Sequence, residues 1–324
     1  MWLSVGGFGN FRPMNLDGDS MSRRTFVKAA AAAAAMNVFD ASAAGEVSWP
    51  IGCFNRPWMQ KFGAALQPTS VPQPANWGLD VALAGMKEAG YQVAGLLSAM
   101  PGEPFLAGDK DSDYLAGLKK RIAEAGLRAT MGALRINFEA SQEDIVRQVR
   151  RQIDHARFLN LEWLLTFGFD REEESEKFYQ AMSEGADYGQ ERKVKLVLKP
   201  HGGGSGASEE ILRCLKRVNR PNFKIWYDAG NIIYYTGKDP IEELKPIAQH
   251  VTGICAKDCT GKKGDVMIEF GTGKVDFQGV YSELRKAGFK GPSFVECAGG
   301  KTPGEVTAGA RANRLFLERI FASL

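Results

Sequence analysis

The stretch VLKPHGGG, Val197–Gly204, reads as a buried strand that ends on two polar residues, Lys199 and His201, and then breaks into glycine. The design recurs downstream. IWYDAGN (Ile225–Asn231) ends on Asp228, ICAKD (Ile254–Asp258) on Lys257 and Asp258, and SFVEC (Ser293–Cys297) on Glu296. Each apolar run is short, rich in aliphatic and aromatic residues, and followed by a helical pattern, as in strands buried on both faces. In a βα-repeating chain the carboxyl ends of parallel strands converge on one face, so polar residues there point into a shared pocket. Successive strands ending this way predict an enzyme site.

The alternation extends in both directions. Strands are expected at Trp49–Phe54, Gln92–Leu97, Arg128–Leu134, Trp163–Phe167, Val194–Leu198, Phe223–Tyr227, Val251–Ala256 and Ser293–Glu296. Helices are expected at Leu79–Ala89, Asp113–Ala125, Gln142–Phe158, Glu173–Gln190, Ser208–Val218, Pro240–Gln249, Phe277–Ala287 and Gly304–Ala322. Ala125-Gly126 and Ala287-Gly288 are helix stops, Ser208 is an expected N-cap, and Asp239-Pro240 is a cap followed by a first-turn proline. Eight βα units without a linker predict an α/β protein with a single closed (β/α)8 TIM barrel. The competing topology, an open doubly wound sheet, needs fewer strands or a sheet edge.

The barrel is expected over residues 44–324. Before it, Ser22-Arg23-Arg24-Thr25-Phe26-Val27-Lys28 is a twin-arginine pattern, followed by the alanine run Ala29–Ala35 and the small-x-small site Ala41-Ser42-Ala43. Charge, apolar run and cleavage site in that order read as a signal peptide over residues 1–43, with twin-arginine export to the periplasm. An alanine-rich helix in a folded arm is the alternative. Met21 directly precedes the pattern, and residues 1–20 read as a mis-called start. The remaining chain suits one barrel of roughly 250 residues. No later apolar run is long enough for a membrane span.

With 41 basic and 38 acidic residues, the charge predicts no attraction to nucleic acid. The five cysteines are odd in number and irregularly spaced, which excludes a disulfide scaffold. Most read as small buried residues, with Cys53, Cys255 and Cys297 at strand ends.

Glu296 and Asp228 are the carboxylates with the clearest strand-end placement. Two like charges in a barrel mouth raise each other's pKa unless a cation joins them, and a divalent metal, Lys199 and Lys257 are the candidate cations. His201 is equipped to ligate a metal or move a proton, whereas His155 and His250 lie on helical segments. Gly202–Gly206 reads either as a flexible loop over the site or as an anion cradle, and it lacks a P-loop ending. Gly271-Thr-Gly273 reads as a turn. Asn55, Arg56 and Trp58 after the first strand, and Asn231, Tyr234 and Tyr235 after the sixth, suit a polyhydroxylated ligand. Rings stack on its C–H faces and amides bond its hydroxyls; packing beneath the loops is the alternative use of the aromatics.

KPHGG (Lys199–Gly203), YDAGN (Tyr227–Asn231), AKD (Ala256–Asp258) with GTGKVDF (Gly271–Phe277), and GPSFVE (Gly291–Glu296) resemble the xylose isomerase-like TIM barrel family, the sugar phosphate isomerase/epimerases. The resemblance spans Trp49 to Leu324. It implies a sugar or keto-sugar substrate, proton transfer beside a carbonyl through an enediolate, and a divalent Mn or Mg held on strands five to eight. Asp228 and Glu296 match two of the family's ligands, and His201 matches a histidine often found beside the first. Lys199 stands where the family has its strand-five glutamate, and Cys255 where the strand-seven histidine is expected. Two readings stay open: a rearranged metal on Asp228, Glu296 and His201, or a Lys199 that replaces the metal's charge or forms a Schiff base. Glu296, Lys199, His201 and Lys257 are then the candidate catalytic residues, and Asn55, Trp58, Asn231 and Asp258 the candidate sugar contacts. A carbohydrate-binding barrel without turnover is the alternative function. An endonuclease acting at abasic sites shares the barrel family, but the near-neutral charge, the export pattern and only three histidines argue against it.

Overall fold

A computed structural model describes residues 48–59, 77–98, 100, 102–107 and 112–324. The expected export signal lies outside the described residues. The strands are β1 (Ile51–Phe54), β2 (Val93–Leu96), β3 (Arg128–Ala133), β4 (Trp163–Thr166), β5 (Lys195–Leu198), β6 (Phe223–Tyr227), β7 (Val251–Ala256) and β8 (Ser293–Val295). Among the described residues, α-helices alternate with them: α1 (Leu79–Glu88), α2 (Ser112–Glu124), α3 (Gln142–Phe158), α4 (Ser175–Arg192), α5 (Ser208–Val218), α6 (Pro240–Leu244), α7 (Phe277–Lys286) and α8 (Pro303–Ala322). Every strand pairs in parallel with the next, and β1 also pairs with β8, so the sheet closes. Closure removes the edge that an open doubly wound sheet would keep.

The strand period of two divides each strand between an outer and an inner core. Outward residues pack against the helices in one large cluster. Inward residues, Phe54, Leu97, Met131, Ala133, Trp163, Leu165, Val197, Trp226, Cys255 and Phe294, form a second cluster inside the barrel. Its rings meet at tilted angles with centroids 5.0 to 6.2 Å apart. Strand glycines make room for them. A Cβ at Gly253 would stand 2.2 Å from Trp226 Cε2, and one at Gly95 would stand 2.3 Å from Phe54 Cδ1. The interior is therefore a packed floor for the site above it.

The helix signals read from the chain mostly act as expected. Gly126 and Gly288 adopt left-handed φ of 69° and 76° at the two predicted stops. The Asp239 carboxylate accepts from the N–H groups of Ile241 and Glu242, with Pro240 in the first turn. Ser208 is a correction: Ala207 occupies the cap position. Glu210 accepts from the Ala207 N–H, and Ser208 donates its N–H and hydroxyl to Glu243. Helix α6 stops at Leu244 rather than Gln249, because Pro246 has no N–H to carry the helical hydrogen-bond ladder onward.

Candidate active site

The inward residues at the strand ends build the next layer up. Lys199, Asp228, Lys257 and Glu296 each lie two residues beyond an interior residue, namely Val197, Trp226, Cys255 and Phe294. By the same period Arg56 follows Phe54, Arg135 follows Ala133 and Phe167 follows Leu165. Neighbouring strands thus bring their terminal side chains to one mouth.

Four of these groups form a closed ring of alternating charge. Lys199 Nζ lies 2.5 Å from Glu296 Oε2 and 3.1 Å from Asp228 Oδ2. Lys257 Nζ lies 3.0 Å from Asp228 Oδ2 and 3.2 Å from Glu296 Oε1. Arg56 NH1 approaches Glu296 Oε1 at 3.7 Å from the rim and also touches Cys297 Sγ. The four ring residues are each no more than 3% exposed. Buried charges at this density require pairing, and the ring supplies it.

The ring separates the two carboxylates electrically. Against the cost of burial, the charges of Lys199, Lys257 and Arg56 hold Glu296 well below the usual carboxylate range. Burial, only partly offset by Lys257 and Lys199, pushes Asp228 upward. Against burial, Glu296 and Asp228 hold the Lys199 ammonium above the ordinary lysine value. Lys199 therefore stays protonated, which removes the neutral amine that a Schiff base would need.

His201 borders the ring but does not join it. Its Nε2 shares a hydrogen bond of 3.0 Å with the Tyr235 hydroxyl, and its ring lies between Phe167 and Tyr235, 4.9 Å from each. Burial, reinforced by the Lys199 and Lys257 charges, lowers its pKa to about 3. At neutral pH it is an uncharged hydrogen-bonding group. A folded pKa depressed below 6.5 stabilises the fold fully above pH 6.5, and this contribution is lost as pH falls toward 3. His201→Gln is expected to flatten the stability slope between pH 6.5 and 4 by up to about 1.4 kcal/mol per unit. Urea denaturation across that range measures it, and equal slopes in both proteins would contradict the placement.

The four expected sugar contacts sit differently. Asn55 accepts from the Leu97 and Ser98 N–H groups and donates to the Ser98 carbonyl, tying β1 to β2. Trp58 is fully buried and donates to Thr307 Oγ1. Asn231 donates to the Pro200 carbonyl, and its N–H caps Asp228 Oδ1. Asp258 accepts four backbone N–H groups, from Cys259, Gly271, Gly273 and Val275, and holds the long loop after β7 closed. The physical reason is strand parity for Asn55 and Asp258, each one residue out of phase with the inward positions Phe54 and Lys257. The Gly202–Gly206 loop is packed too: Ser205 Oγ donates to the Phe167 carbonyl and accepts from His201 N–H, and Gly204 faces the Phe169 ring. Of the further mouth residues Arg56, Arg135, Phe167 and Tyr235, motif reading named Arg56 and Tyr235 only as suiting a polyhydroxylated ligand and missed Arg135 and Phe167. The two-residue step beyond interior positions would have found the first three.

The donor set does not fit a divalent metal. A cation bridging Asp228 and Glu296 would compete with two ammonium nitrogens already within 3.2 Å of both carboxylates. Cys255 is buried in the aromatic floor, where burial pushes its thiol up, and His201 Nε2 faces Tyr235. Among the described residues no three His, Cys, Asp or Glu side chains gather as a metal site. The arrangement of the metal implied by resemblance, on Asp228, Glu296 and His201, therefore does not fit the side chains as they stand: two lysine ammonium groups occupy the space between the carboxylates.

Among the described residues no helix is long and apolar enough to cross a membrane. The chain is similar to the L-ribulose-5-phosphate 3-epimerase UlaE of Salmonella paratyphi C, with 24% identity over 207 residues, covering 58% of this chain and 71% of the relative. Its fold matches a xylose isomerase-like TIM barrel protein from Mycobacterium smegmatis solved in complex with magnesium (TM-score 0.66, 15% identity, 85% of this chain and 97% of the other). It also matches a D-allulose 3-epimerase from Methylomonas sp. solved with D-allulose (TM-score 0.60, 18% identity, 85% and 99% covered). The sequence model of one family matches residues 83–320, across strands β2 to β8, and the chain belongs to that family, the xylose isomerase-like TIM barrels.

Proposed function

We propose that this protein is a metal-independent isomerase or epimerase that moves a proton beside the carbonyl of a sugar or keto-sugar. The observation that carries the reading is the pair of ammonium groups, Lys199 and Lys257, set between Asp228 and Glu296. Negative charge that develops on two neighbouring sugar oxygens needs a positive partner, and fixed ammonium groups supply one in a water-poor site. Each has three donors, so a bound enediolate can draw them from Glu296. Glu296 gains basicity as they leave, which suits it to take the proton. Asp228, pushed upward, suits the return of a proton, since carboxylates with opposite shifts divide acid and base roles. Neutral His201 and Tyr235 suit hydroxyl recognition. The epimerase names of the relatives support the same reaction class. Export by the twin-arginine pathway to the periplasm is part of the reading, on the strength of Arg23-Arg24 and the alanine run.

One observation favours a second reading, a sugar-binding barrel without turnover: the ring is almost fully buried and closed upon itself. Metal-stripped protein incubated with a ketose panel in D2O separates the two. Proton NMR is expected to show solvent deuterium entering beside the carbonyl, unchanged by chelator. Exchange that appears only with added Mn2+ or Mg2+ would overturn metal independence. Sugar binding with no exchange would establish the second reading.

A further inference from the structure

Beside the charged ring, Tyr235 reaches His201 from the turn after β6. That turn is π-helical over Ile232–Thr236 and carries the Tyr234 and Tyr235 rings at 79° to each other, with centroids 4.9 Å apart. Turns of this width are rare and recur at functional sites. Two other loops seat Tyr235. After β5, a Cβ on Gly202 would stand 2.8 Å from Tyr235 Cδ1, so the residue that follows His201 leaves its space to this ring. After β7, Lys263 donates its N–H to the Tyr234 carbonyl at 2.9 Å, and its ammonium stands 4.8 and 4.5 Å from the Tyr234 and Tyr235 centroids. Lys263 holds a left-handed φ of 56° there, an uncommon backbone for a residue with a Cβ.

The hydroxyl of this seated ring meets His201 Nε2 at 3.0 Å. One partner must donate and the other accept, and acidity decides which. A phenol gives up its proton far more readily than a neutral imidazole N–H, and an imidazole lone pair accepts better than a phenol oxygen. The Lys263 cation over the ring draws electron density from the phenol and strengthens it further as a donor. Burial pushes the Tyr235 phenol up to about 12, so the proton is present to be donated. His201, uncharged at neutral pH, then carries its single ring proton on Nδ1. Among the described residues Nδ1 has no hydrogen-bond partner.

We propose that Tyr235 is a positioning residue that fixes His201 in its Nδ1–H tautomer, so that the imidazole offers a donor, rather than a lone pair, to a ligand oxygen. The inference rests on the sugar-site reading only for the ligand; the tautomer is a property of the free protein. Long-range proton–nitrogen correlation spectra test it, recorded at neutral pH without sugar on protein labelled with 15N-histidine. The chain has three histidines, and the signals missing from His201→Gln assign this one. His201 is expected to carry its proton on Nδ1 in about 10-fold excess, the worth of one hydrogen bond. Tyr235→Phe removes one hydroxyl from a half-buried ring and is expected to fold as the wild type does, yet to erase that excess. A proton on Nε2 in the wild type would overturn the proposal. So would an excess that survives in Tyr235→Phe. With a ketose that exchanges in D2O, the same variant should lower kcat about 10-fold and change KM less than about twofold, because a donor helps most where charge develops. An unchanged kcat would overturn the donor role. If no ketose exchanges even with the wild type, the catalytic reading fails, while the tautomer measurement still decides this one.

Discussion

Glu296→Gln is expected to lower turnover by about 10²- to 10⁴-fold, the contribution of a positioned acid–base group. The carboxylate is the only ring member touched by Lys199, Lys257 and Arg56 together, at 2.5, 3.2 and 3.7 Å. An amide of the same shape keeps one acceptor but turns an N–H2 toward one of the cations, and it has no basicity. Deuterium exchange beside the carbonyl should vanish along with net conversion, because both need the proton removed. Circular dichroism and sugar binding should show that the variant is folded. A variant that keeps more than about a tenth of wild-type exchange would remove Glu296 from the proton path.

Lys199→Met is expected to cost roughly 3–5 kcal/mol of stability, because it leaves buried carboxylate charge without compensation. Asp228 Oδ2 would keep Lys257 alone, and Glu296 Oε2 would lose its 2.5 Å partner. Adding Asp228→Asn should restore part of the loss, since the surviving ring then carries less unpaired charge. The pH profile carries the same signature. Glu296, depressed when folded, stabilises above about pH 4.5, and that contribution is lost as pH falls below it. Lys199, raised when folded, stabilises below about pH 10.5, and that contribution is lost as pH rises beyond it. The variant should lose the alkaline part of this profile. Denaturant midpoints measured across pH would show it, and a loss below about 1 kcal/mol would mean the ring is solvated rather than closed.

The lysine ring is where this chain departs from the usual logic of its fold. A metal between two carboxylates offers concentrated charge and must be acquired; two lysines offer the same sign of charge from within the chain. On the proposed reading, the positive charge at this mouth comes from side chains rather than from a bound ion.

Much of the barrel was readable directly. Short runs such as Leu196–Leu198 and Trp163–Leu165 are too apolar to be anything but strands buried on both faces, and helical patterns separate them. The period of two then places Lys199, Asp228, Lys257 and Glu296 on the inner face, because each follows Val197, Trp226, Cys255 or Phe294 by two residues. Applied to strands one and three, that step also reaches Arg56 and Arg135. The polar residues one step out of phase, Asn55 and Asp258, were harder to assign, because composition alone does not say whether an amide or carboxylate faces a ligand or ties a loop.

Local sequence therefore determined the strand count and the charged residues at the strand ends, since these follow from hydrophobic periodicity over a few residues, although it grouped His201 with the ring that the structure leaves it beside. Only the tertiary structure decided the partners. Lys199 and Glu296 are 97 positions apart in sequence, and no local pattern states that an ammonium from β5 enters the gap between carboxylates of β6 and β8. Strand tilt, barrel closure and the aromatic floor set those distances, and the distances separate a metal cradle from a closed ring of ion pairs.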